Sequence, residues 1–136
     1  MGMALRKSVK QLVDDASAKI TTLTVDEAKA KLGQPDVQFV DIRDVRELER
    51  EGRIPGAIHA PRGMLEFWAD PDSPYFKPVW GEDKLFVLYC KSGWRSALAT
   101  AALTDMGLPK LAHIGTGFTG WVEAGGAVEA YHRKPR

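Results

Sequence analysis

The sequence predicts one α/β domain built on a mostly parallel sheet. Short apolar, β-branched segments alternate along the chain with segments of helical periodicity. Residues 84–90 are nearly all apolar, which is typical of a strand covered on both faces, as in a parallel sheet. The chain has 136 residues and no internal repeat, so a single hydrophobic core is expected.

Composition and charge exclude several classes of protein. Apolar residues make up 44% of the chain and charged residues 27%, an ordinary balance for a globular protein in water. The formal net charge is +1, so we expect neither a nucleic-acid partner nor a membrane partner. Residues 1–16 lack the apolar core of a signal peptide. The single cysteine cannot form an intramolecular disulfide, so we expect a reducing, cytoplasmic location.

Two helices are predicted at the start of the chain. Residues 3–19 carry apolar side chains at helical spacing with charges between them. Thr24 and Glu27 have the spacing of a capping box, which satisfies two N–H groups at the start of a second helix. Gly33 ends that helix.

The middle of the chain predicts two strands around a short helix. Residues 37–42 are apolar and β-branched, which predicts a strand. Residues 46–52 are highly charged and predict a short helix that ends at a glycine. Residues 54–61, framed by prolines, predict a second short strand.

The last third continues the alternation of strands and helices. Residues 95–107 are rich in alanine and leucine and predict a helix with a glycine stop. Residues 110–114 predict a further strand, and residues 118–124 predict a short helix before a final extended piece.

Residues 62–82 form a long segment rich in proline, aspartate and aromatic side chains. Loops of this length are uncommon unless they are functional or partly helical. Because clustered aromatic side chains usually pack together, we favour a lobe that buries its own aromatics over a lid on a site.

Cys90 is the leading candidate for a reactive residue. It is the last residue of a predicted central strand, and ligands of open parallel sheets bind beyond the carboxyl ends of the strands. The polar loop that follows leads into a helix, so its N–H groups can converge on an anion. A helix N-terminus stabilises an anion by about 0.3–2 kcal/mol, and Lys91 and Arg95 would add to this effect. We therefore expect a thiolate at Cys90 near neutral pH.

Other uses of Cys90 are weaker. A lone cysteine is usually an inert core residue, but the cationic, glycine-containing loop reverses that preference. A second cysteine is missing, which excludes thioredoxin-like redox cycling. His59, His113 and His132 have no partner at ligand spacing, so no metal site is expected. A Cys–His pair formed through space stays open.

Several charged residues near other strand ends have two interpretations. Asp41 and Arg43 follow a strand, and we favour an ion pair or turn bond that fixes the neighbouring loop. Arg43, Arg62 and Lys77 remain candidates for binding an anionic substrate if they line the mouth of the site.

Three ordered motifs resemble the rhodanese family of sulfurtransferases. They are "VDIRDVRELEREGRIPGAIHAP" at 40–61, "YCKSGWRS" at 89–96 and "GTGFTGW" at 115–121. The resemblance implies a three-layer sandwich, with a mostly parallel central sheet and helices on both faces. It also implies that residues 22–136 are a single rhodanese-like domain and residues 1–21 an N-terminal helical extension.

The resemblance further implies a mechanism and its participants. Cys90 would take a sulfane sulfur from a small anionic donor such as thiosulfate and carry it as a persulfide. A thiol or cyanide would then accept the sulfur, and a protein persulfide could serve as donor or acceptor. No cofactor is implied. The substrate-binding cradle would be the loop after the cysteine: Lys91, Ser92, Gly93, Trp94, Arg95 and Ser96.

Residues around the cradle, and one residue within it, refine the expectation. Gly117 and Phe118 lie near the predicted sheet end and are expected to support the loop from outside. Trp94 is bulky for its position, and we favour a role in shielding the persulfide over packing on residues 62–82. Arg53 stands where the family commonly has His, which bears on specificity more than on chemistry.

Two alternatives remain. Related phosphatases have five residues between cysteine and arginine, which makes room for phosphate, whereas four residues separate Cys90 from Arg95. A phosphatase is therefore disfavoured. A non-catalytic binding or regulatory module of the same fold is disfavoured because both the cysteine and the arginine are present.

Overall fold

The computed structural model describes residues 4–133. Those residues form one five-stranded sheet in the order β1-β5-β4-β2-β3, and every neighbouring pair is parallel. The strands are β1 Thr22–Leu23, β2 Val37–Asp41, β3 Ile58–His59, β4 Leu85–Tyr89 and β5 Leu111–Ile114. The predicted parallel α/β sheet is confirmed.

Helices cover both faces of the sheet. They are α1 Val9–Ser17, α2 Val25–Lys31, α3 Val45–Glu51, α4 Leu65–Ala69, α5 Trp94–Met106 and α6 Gly117–Glu123, with 3-10 turns at Arg62–Met64 and Pro78–Gly81. Side chains of β4 alternate between two cores: Val87 and Tyr89 pack with α2 and α6, and Leu88 and Cys90 pack with α4 and α5. The expected three-layer sandwich is therefore confirmed.

The first three helices begin after capping side chains. The predicted capping box of Thr24 and Glu27 is present, with distances of 2.9 and 3.1 Å. Asp44 and Glu47 make a second one at the start of α3, which sequence inspection missed. The predicted helix over 3–19 is shorter, since Ser8 caps it at Val9–Ser17. Residue 3 lies outside the described residues.

The strand predicted over 54–61 is mostly wrong. Only Ile58–His59 pairs with β2. The preceding residues turn instead, because the amide of Ala57 donates to the carbonyl of Ile54 at 3.1 Å and Gly56 has a φ of +78°.

The first helix packs on the helix that follows the cysteine. Val13 and Ala16 of α1 are buried against Ala97 and Ala101 of α5. Small side chains on both helices let the two backbones approach closely. The segment before the sheet thus stabilises the helix that begins at the candidate loop.

Residues 62–82 largely pack on the sheet. Trp80 is buried and stacks on Phe86 with ring centroids 4.6 Å apart. Leu65 is also fully buried. Phe67 and Tyr75 are exposed and contact only each other among the aromatic pairs of the described residues. The packing interpretation is therefore confirmed for Trp80 and wrong for these two. Among residues 4–133, no helix is long and apolar enough to cross a membrane.

Candidate active site

Cys90 lies directly after β4, at the carboxyl edge of the sheet. Its side chain is 1% exposed. The sulfur accepts two main-chain hydrogen bonds, from the N–H of Gly93 at 3.1 Å and from the N–H of Ser96 at 3.3 Å. Burial of Cys90 is thus combined with amides aimed at its sulfur, which distinguishes it from a cysteine in purely apolar packing.

The remaining amides of this loop form an anion-binding environment. The N–H groups of Lys91, Ser92, Trp94 and Arg95 have no acceptor among residues 4–133. They belong to the loop and the first turn of α5, where the helix dipole also favours negative charge. This arrangement can stabilise an anion on Cys90 or on an atom bonded to it.

The turn between β5 and α6 supports the cysteine loop from outside. The N–H of Phe118 donates to the carbonyl of Cys90 at 2.8 Å, and the N–H of Thr119 donates to that of Lys91 at 3.0 Å. Gly117 has a φ of +64°, and a Cβ there would lie 2.5 Å from the Lys91 carbonyl oxygen. The expected supporting role of Gly117 and Phe118 is confirmed.

Close contact between the cysteine loop and the turn before α6 also requires a glycine at position 93. Its φ is +108°, in the left-handed region that favours glycine. A Cβ at this position would collide with the carbonyl oxygen of Gly115. The glycine therefore allows the two loops to touch, which places the Gly93 amide on the sulfur.

Both cations of the loop are paired with carboxylates of α3. Lys91 Nζ lies 2.7 Å from Glu51, and Arg95 makes two bonds to Glu47, at 2.9 and 3.0 Å. The Arg95 guanidinium lowers the pKa of Glu47 below its usual range. Each of these cations therefore has a carboxylate partner, and an anionic donor would have to compete with that carboxylate. Their expected role toward such a donor stays a prediction.

Asp41 and Arg43 form a buried structural ion pair, as favoured from the sequence. Both side chains are fully buried, and Arg43 makes a bidentate contact with Asp41 at 2.9 and 2.7 Å. Arg43 also donates to Glu51 and to the carbonyl of Gly52, at 3.0 and 2.7 Å. The alternative role of Arg43, as a hydrogen-bond donor to an anionic substrate, is wrong because protein acceptors surround its buried guanidinium.

The other two candidates for anion binding also have protein partners. Arg62 Nη1 lies 2.7 Å from Glu66. The ammonium of Lys77 lies 4.8 Å from the centre of the Trp68 ring. Both residues belong to the segment that packs on the sheet, and neither makes a hydrogen bond to the cysteine loop among the described contacts.

A hydrogen-bond chain missed by sequence inspection leads away from Cys90. Its sulfur lies 3.5 Å from Ser96 Oγ, which lies 2.9 Å from His113 Nδ1. His113 Nε2 is 3.1 Å from Thr22 Oγ1. Burial lowers the pKa of His113 to about 4, so the ring is neutral at neutral pH. The open question of a through-space Cys–His pair is answered by an indirect contact through Ser96.

A family model described as the rhodanese-like domain matches residues 24–124. The chain belongs to the rhodanese-like family. The match spans the sheet from the end of β1 to the end of α6 and includes the cysteine loop.

Two relatives and one solved structure show how far this rhodanese-like domain resembles known proteins. A Bacillus subtilis protein named as a candidate sulfur carrier is 26% identical over 118 residues, 86% of this chain and 58% of that protein. The chain therefore spans little more than half of that relative. A sulfurtransferase of Allochromatium vinosum is 31% identical over 90 residues, 66% of this chain and 76% of that protein.

A solved structure from Rhodopseudomonas palustris is 52% identical, with a TM-score of 0.91. The aligned region covers 95% of this chain and 99% of that one. That protein is titled as having unknown function and as a possible tyrosine phosphatase.

Two motif residues of this rhodanese-like domain, Arg53 and Trp94, have different surroundings. Arg53, which replaces the usual histidine, pairs with Glu129 at 2.9 Å and lies over the Tyr131 ring at 5.3 Å. Trp94 is 49% exposed, so it does not pack in the interior. Its expected shielding role stays a prediction.

Within residues 4–133, no cluster of three metal-ligating side chains occurs.

A cavity adjoins the cysteine loop of the rhodanese-like domain. It has a volume of about 360 Å³ and is lined by Glu51, Lys91, Phe118, Thr119, Val122 and Glu123. Its lining combines an apolar floor with carboxylates of two helices. The cavity reaches the first residue of the cysteine loop through Lys91.

Proposed function

We propose that this protein is a sulfurtransferase that carries a sulfane sulfur as a persulfide on Cys90. The observation that carries the proposal is the pair of main-chain N–H bonds to the buried sulfur, within a loop whose other amides lack protein acceptors. Such a loop stabilises both a thiolate and a terminal persulfide anion. Membership of the rhodanese-like family supports this role.

The proposed reaction has two balanced steps. The Cys90 thiolate attacks the outer sulfur of a donor such as thiosulfate. A new S–S bond forms on Cys90, the S–S bond of the donor breaks, and sulfite leaves with the bonding electron pair. A thiolate or cyanide then attacks the terminal sulfur and takes it, which returns the Cys90 thiolate. Neither step needs a cofactor or a metal.

The charges around the loop bear on the donor. An anionic donor would be bound by the side chains of Lys91 and Arg95 and by the main-chain amides of residues 91–96. Glu51 and Glu47 already pair with these two side chains and would compete with the donor. The reacting group of a persulfide carries at most one negative charge, whereas thiosulfate carries two. We propose that such persulfides are used alongside thiosulfate and that the adjoining cavity holds part of them.

A mass measurement tests the persulfide. Wild-type protein and the Cys90→Ser variant are incubated with thiosulfate, cysteine persulfide or polysulfide, and intact masses are recorded. We expect a gain of one sulfur in the wild type only, and loss of that mass when cyanide or a thiol is added. No sulfur adduct with any donor would contradict the proposal.

Phosphatase activity is the second candidate, because the Rhodopseudomonas palustris relative is titled as a possible tyrosine phosphatase. The four-residue spacing between Cys90 and Arg95 argues against it. An aryl phosphate incubated with the same two proteins separates the candidates. Cys90-dependent phosphate release without any sulfur adduct would favour the phosphatase, and neither reaction would favour a non-catalytic binding module.

Location and chain organisation complete the proposal. A nucleophilic thiol must stay reduced, so we propose a cytoplasmic location. We also propose that residues 1–21 act as a helical extension to a domain formed by 22–136. Packing of α1 on α5 supports an accessory structural role for the extension.

A further inference from the structure

Cys90 is almost completely buried, yet a nucleophilic thiol must lose and regain a proton. Its 1% exposure restricts direct proton exchange between the sulfur and bulk water. A series of polar side chains connects the sulfur to an exposed residue of β1. Ser96 and His113 are buried, whereas Thr22 at the end of the chain of contacts is exposed.

We propose that Ser96, His113 and Thr22 form a proton relay between the Cys90 thiol and solvent. Ser96 contacts the sulfur directly, and His113 and Thr22 are positioning residues that act through it. The inference rests on the proposed function, because only a reactive thiol needs such a path. Each contact is within hydrogen-bond reach, at 3.5, 2.9 and 3.1 Å.

In the thiol state all hydrogen bonds point toward the surface. The S–H of Cys90 donates to Ser96 Oγ, and the Ser96 hydroxyl donates to His113 Nδ1. The Nε2–H of His113 donates to Thr22 Oγ1. The imidazole is thus the Nε2–H tautomer. The Gly93 carbonyl, 3.2 Å from Ser96 Oγ, is the other acceptor within reach of that hydroxyl.

In the thiolate state every bond reverses. The Ser96 hydroxyl donates to the sulfur anion, the Nδ1–H of His113 donates to Ser96, and the Thr22 hydroxyl donates to Nε2. Each intermediate group has gained one proton and lost one. The net change is the loss of one proton from Cys90 and the release of one proton from Thr22 to water. No electron is transferred and no further reactant is needed.

The surroundings of His113 keep the ring uncharged during this exchange. Its side chain is 3% exposed, and burial lowers its pKa to about 4. Among residues 4–133 its hydrogen-bond partners are the hydroxyls of Ser96 on α5 and Thr22 on β1. On the neighbouring strand β4, the residue that pairs with His113 is Leu88, which is apolar. No charged group of β1, β4 or α5 therefore makes a hydrogen bond to the ring. The ring can therefore change tautomer without storing the proton as imidazolium.

Nitrogen NMR of His113 tests the reversal. Protein labelled with ¹⁵N-histidine is titrated while the ultraviolet absorbance of the thiolate follows ionisation of Cys90. We expect the proton of the neutral ring to move from Nε2 to Nδ1 as the thiolate forms. The Cys90→Ala variant should show no such change over the same pH range. A ring that holds its proton on the same nitrogen in both states would overturn the relay.

Substitution of the exposed end separates the relay from a structural role. Thr22→Val keeps the shape of an exposed side chain but removes the terminal hydroxyl, so the fold should persist. We expect the tautomer change to be lost and alkylation of Cys90 at neutral pH to slow by about fivefold. Ser96→Ala, which removes a bond to the sulfur itself, should slow it by about tenfold.

Thr100→Val provides the matched control. Thr100 is buried on α5, and its hydroxyl has no hydrogen-bond partner in the described part of the chain. This variant should leave the tautomer change and the alkylation rate unaltered. Wild-type behaviour of Thr22→Val in both measurements would overturn the proposal. Neither measurement uses a sulfur donor, so an intact relay in a protein that never accepts sulfur would refute the proposed function alone.

Discussion

At the scale of single residues, the site combines a buried ion pair with partly exposed ion pairs that a ligand can disrupt. Asp41 and Arg43 are fully buried and mutually bonded, so their geometry is fixed by the high cost of separating them. The pair of Arg95 with Glu47 is different, because the Arg95 side chain is 44% exposed. Exposed pairs contribute only about 0–1 kcal/mol, so an incoming anion can compete for the guanidinium. Access of an anion to the loop cations therefore depends on how strongly the carboxylates of α3 bind them.

Glu47→Gln should make the protein a better user of thiosulfate. The substitution removes a negative charge beside Arg95 and leaves a side chain that can still bond to the Asp44 amide in the capping box. We expect kcat/KM for thiosulfate to rise about threefold, mainly through KM, because a dianion no longer competes with a carboxylate. Steady-state transfer to cyanide measures the effect.

Glu49→Gln is the matched control for that change. Glu49 lies on the same helix but pairs with Arg133, away from the cysteine loop. It should leave kcat/KM for thiosulfate unchanged. An equal rise in both variants, or a fall in Glu47→Gln alone, would show that the pairing of Arg95 does not limit access of anions.

Single residues also show what sequence alone can predict. Cys90 and Gly93 were predictable because a strand, a tight turn and a helix are encoded by contiguous residues. Glu47 and Glu51 were not, since their partners lie 48 and 40 residues further along the chain. The link from His113 to Cys90 was not predictable either, because its contact with Ser96 depends on how β5 and α5 pack.

At the scale of elements, two loops at the carboxyl edge hold each other. The loop before α5 supplies the amides for the sulfur, and the turn before α6 supplies amides for the carbonyls of that loop. Two glycines let them approach. Gly93 meets the Gly115 carbonyl, and Gly117 meets those of Cys90 and Lys91. The site thus depends on backbone contacts that no side chain could replace.

Gly117→Ala should therefore impair the site more than the fold. A Cβ at this position would lie 2.5 Å from the Lys91 oxygen and 2.7 Å from that of Cys90, so the loop must move. Positive φ adds about 1–2 kcal/mol of strain. We expect persulfide formation to fall at least about tenfold, measured as the rate of the mass gain with thiosulfate.

Gly125→Ala separates the clash from the strain. Gly125 has a comparable φ of +76°, but a Cβ there would have nothing within 4 Å. It should lose stability to denaturant by a similar amount, about 1–2 kcal/mol, while forming the persulfide at the wild-type rate. Equal rates in the two variants would mean that the turn before α6 does not position the loop.

Elements were predicted best where local chemistry decides them. The helix after Thr24 matches because a capping box is a local signal, and the strand before Cys90 matches because a buried apolar run is one, although that strand ends one residue early, at Tyr89. The strand predicted over 54–61 is reduced to Ile58–His59, because the residues around Pro55 and Gly56 form a turn. Ile54 and Ala57 are nevertheless buried, since they pack in the hydrophobic core without pairing with a neighbouring strand.

At the scale of the whole molecule, one sheet organises both stability and chemistry. Every strand pair is parallel within residues 4–133, so the strands end at one edge, where Cys90 and its supporting turn meet. The Cys90 face of the sheet also buries His113 against α5. The group proposed to serve the thiol is therefore also a buried titratable group of the fold, which makes stability depend on pH.

Stability should decrease as pH falls from about 6.5 toward 4. Burial lowers the pKa of His113 from 6.5 to about 4, so the unfolded chain binds a proton at a higher pH than the native protein. Unfolding is then favoured by acid, and we expect a loss of about 2–3 kcal/mol between pH 6.5 and 4.5. Carboxylates with lowered pKa values, such as Glu47 and Glu129, add to the loss only below their ordinary value of 4.5.

Urea unfolding at a series of pH values measures this dependence, with His113→Gln as the comparison. The variant is expected to be less stable overall, so the slope against pH rather than the absolute free energy is the deciding quantity. Its unfolding free energy should be nearly flat from pH 6.5 to 4.5, because no buried imidazole remains to resist protonation. Parallel slopes for the two proteins would show that His113 titrates in the native state as it does in the unfolded chain.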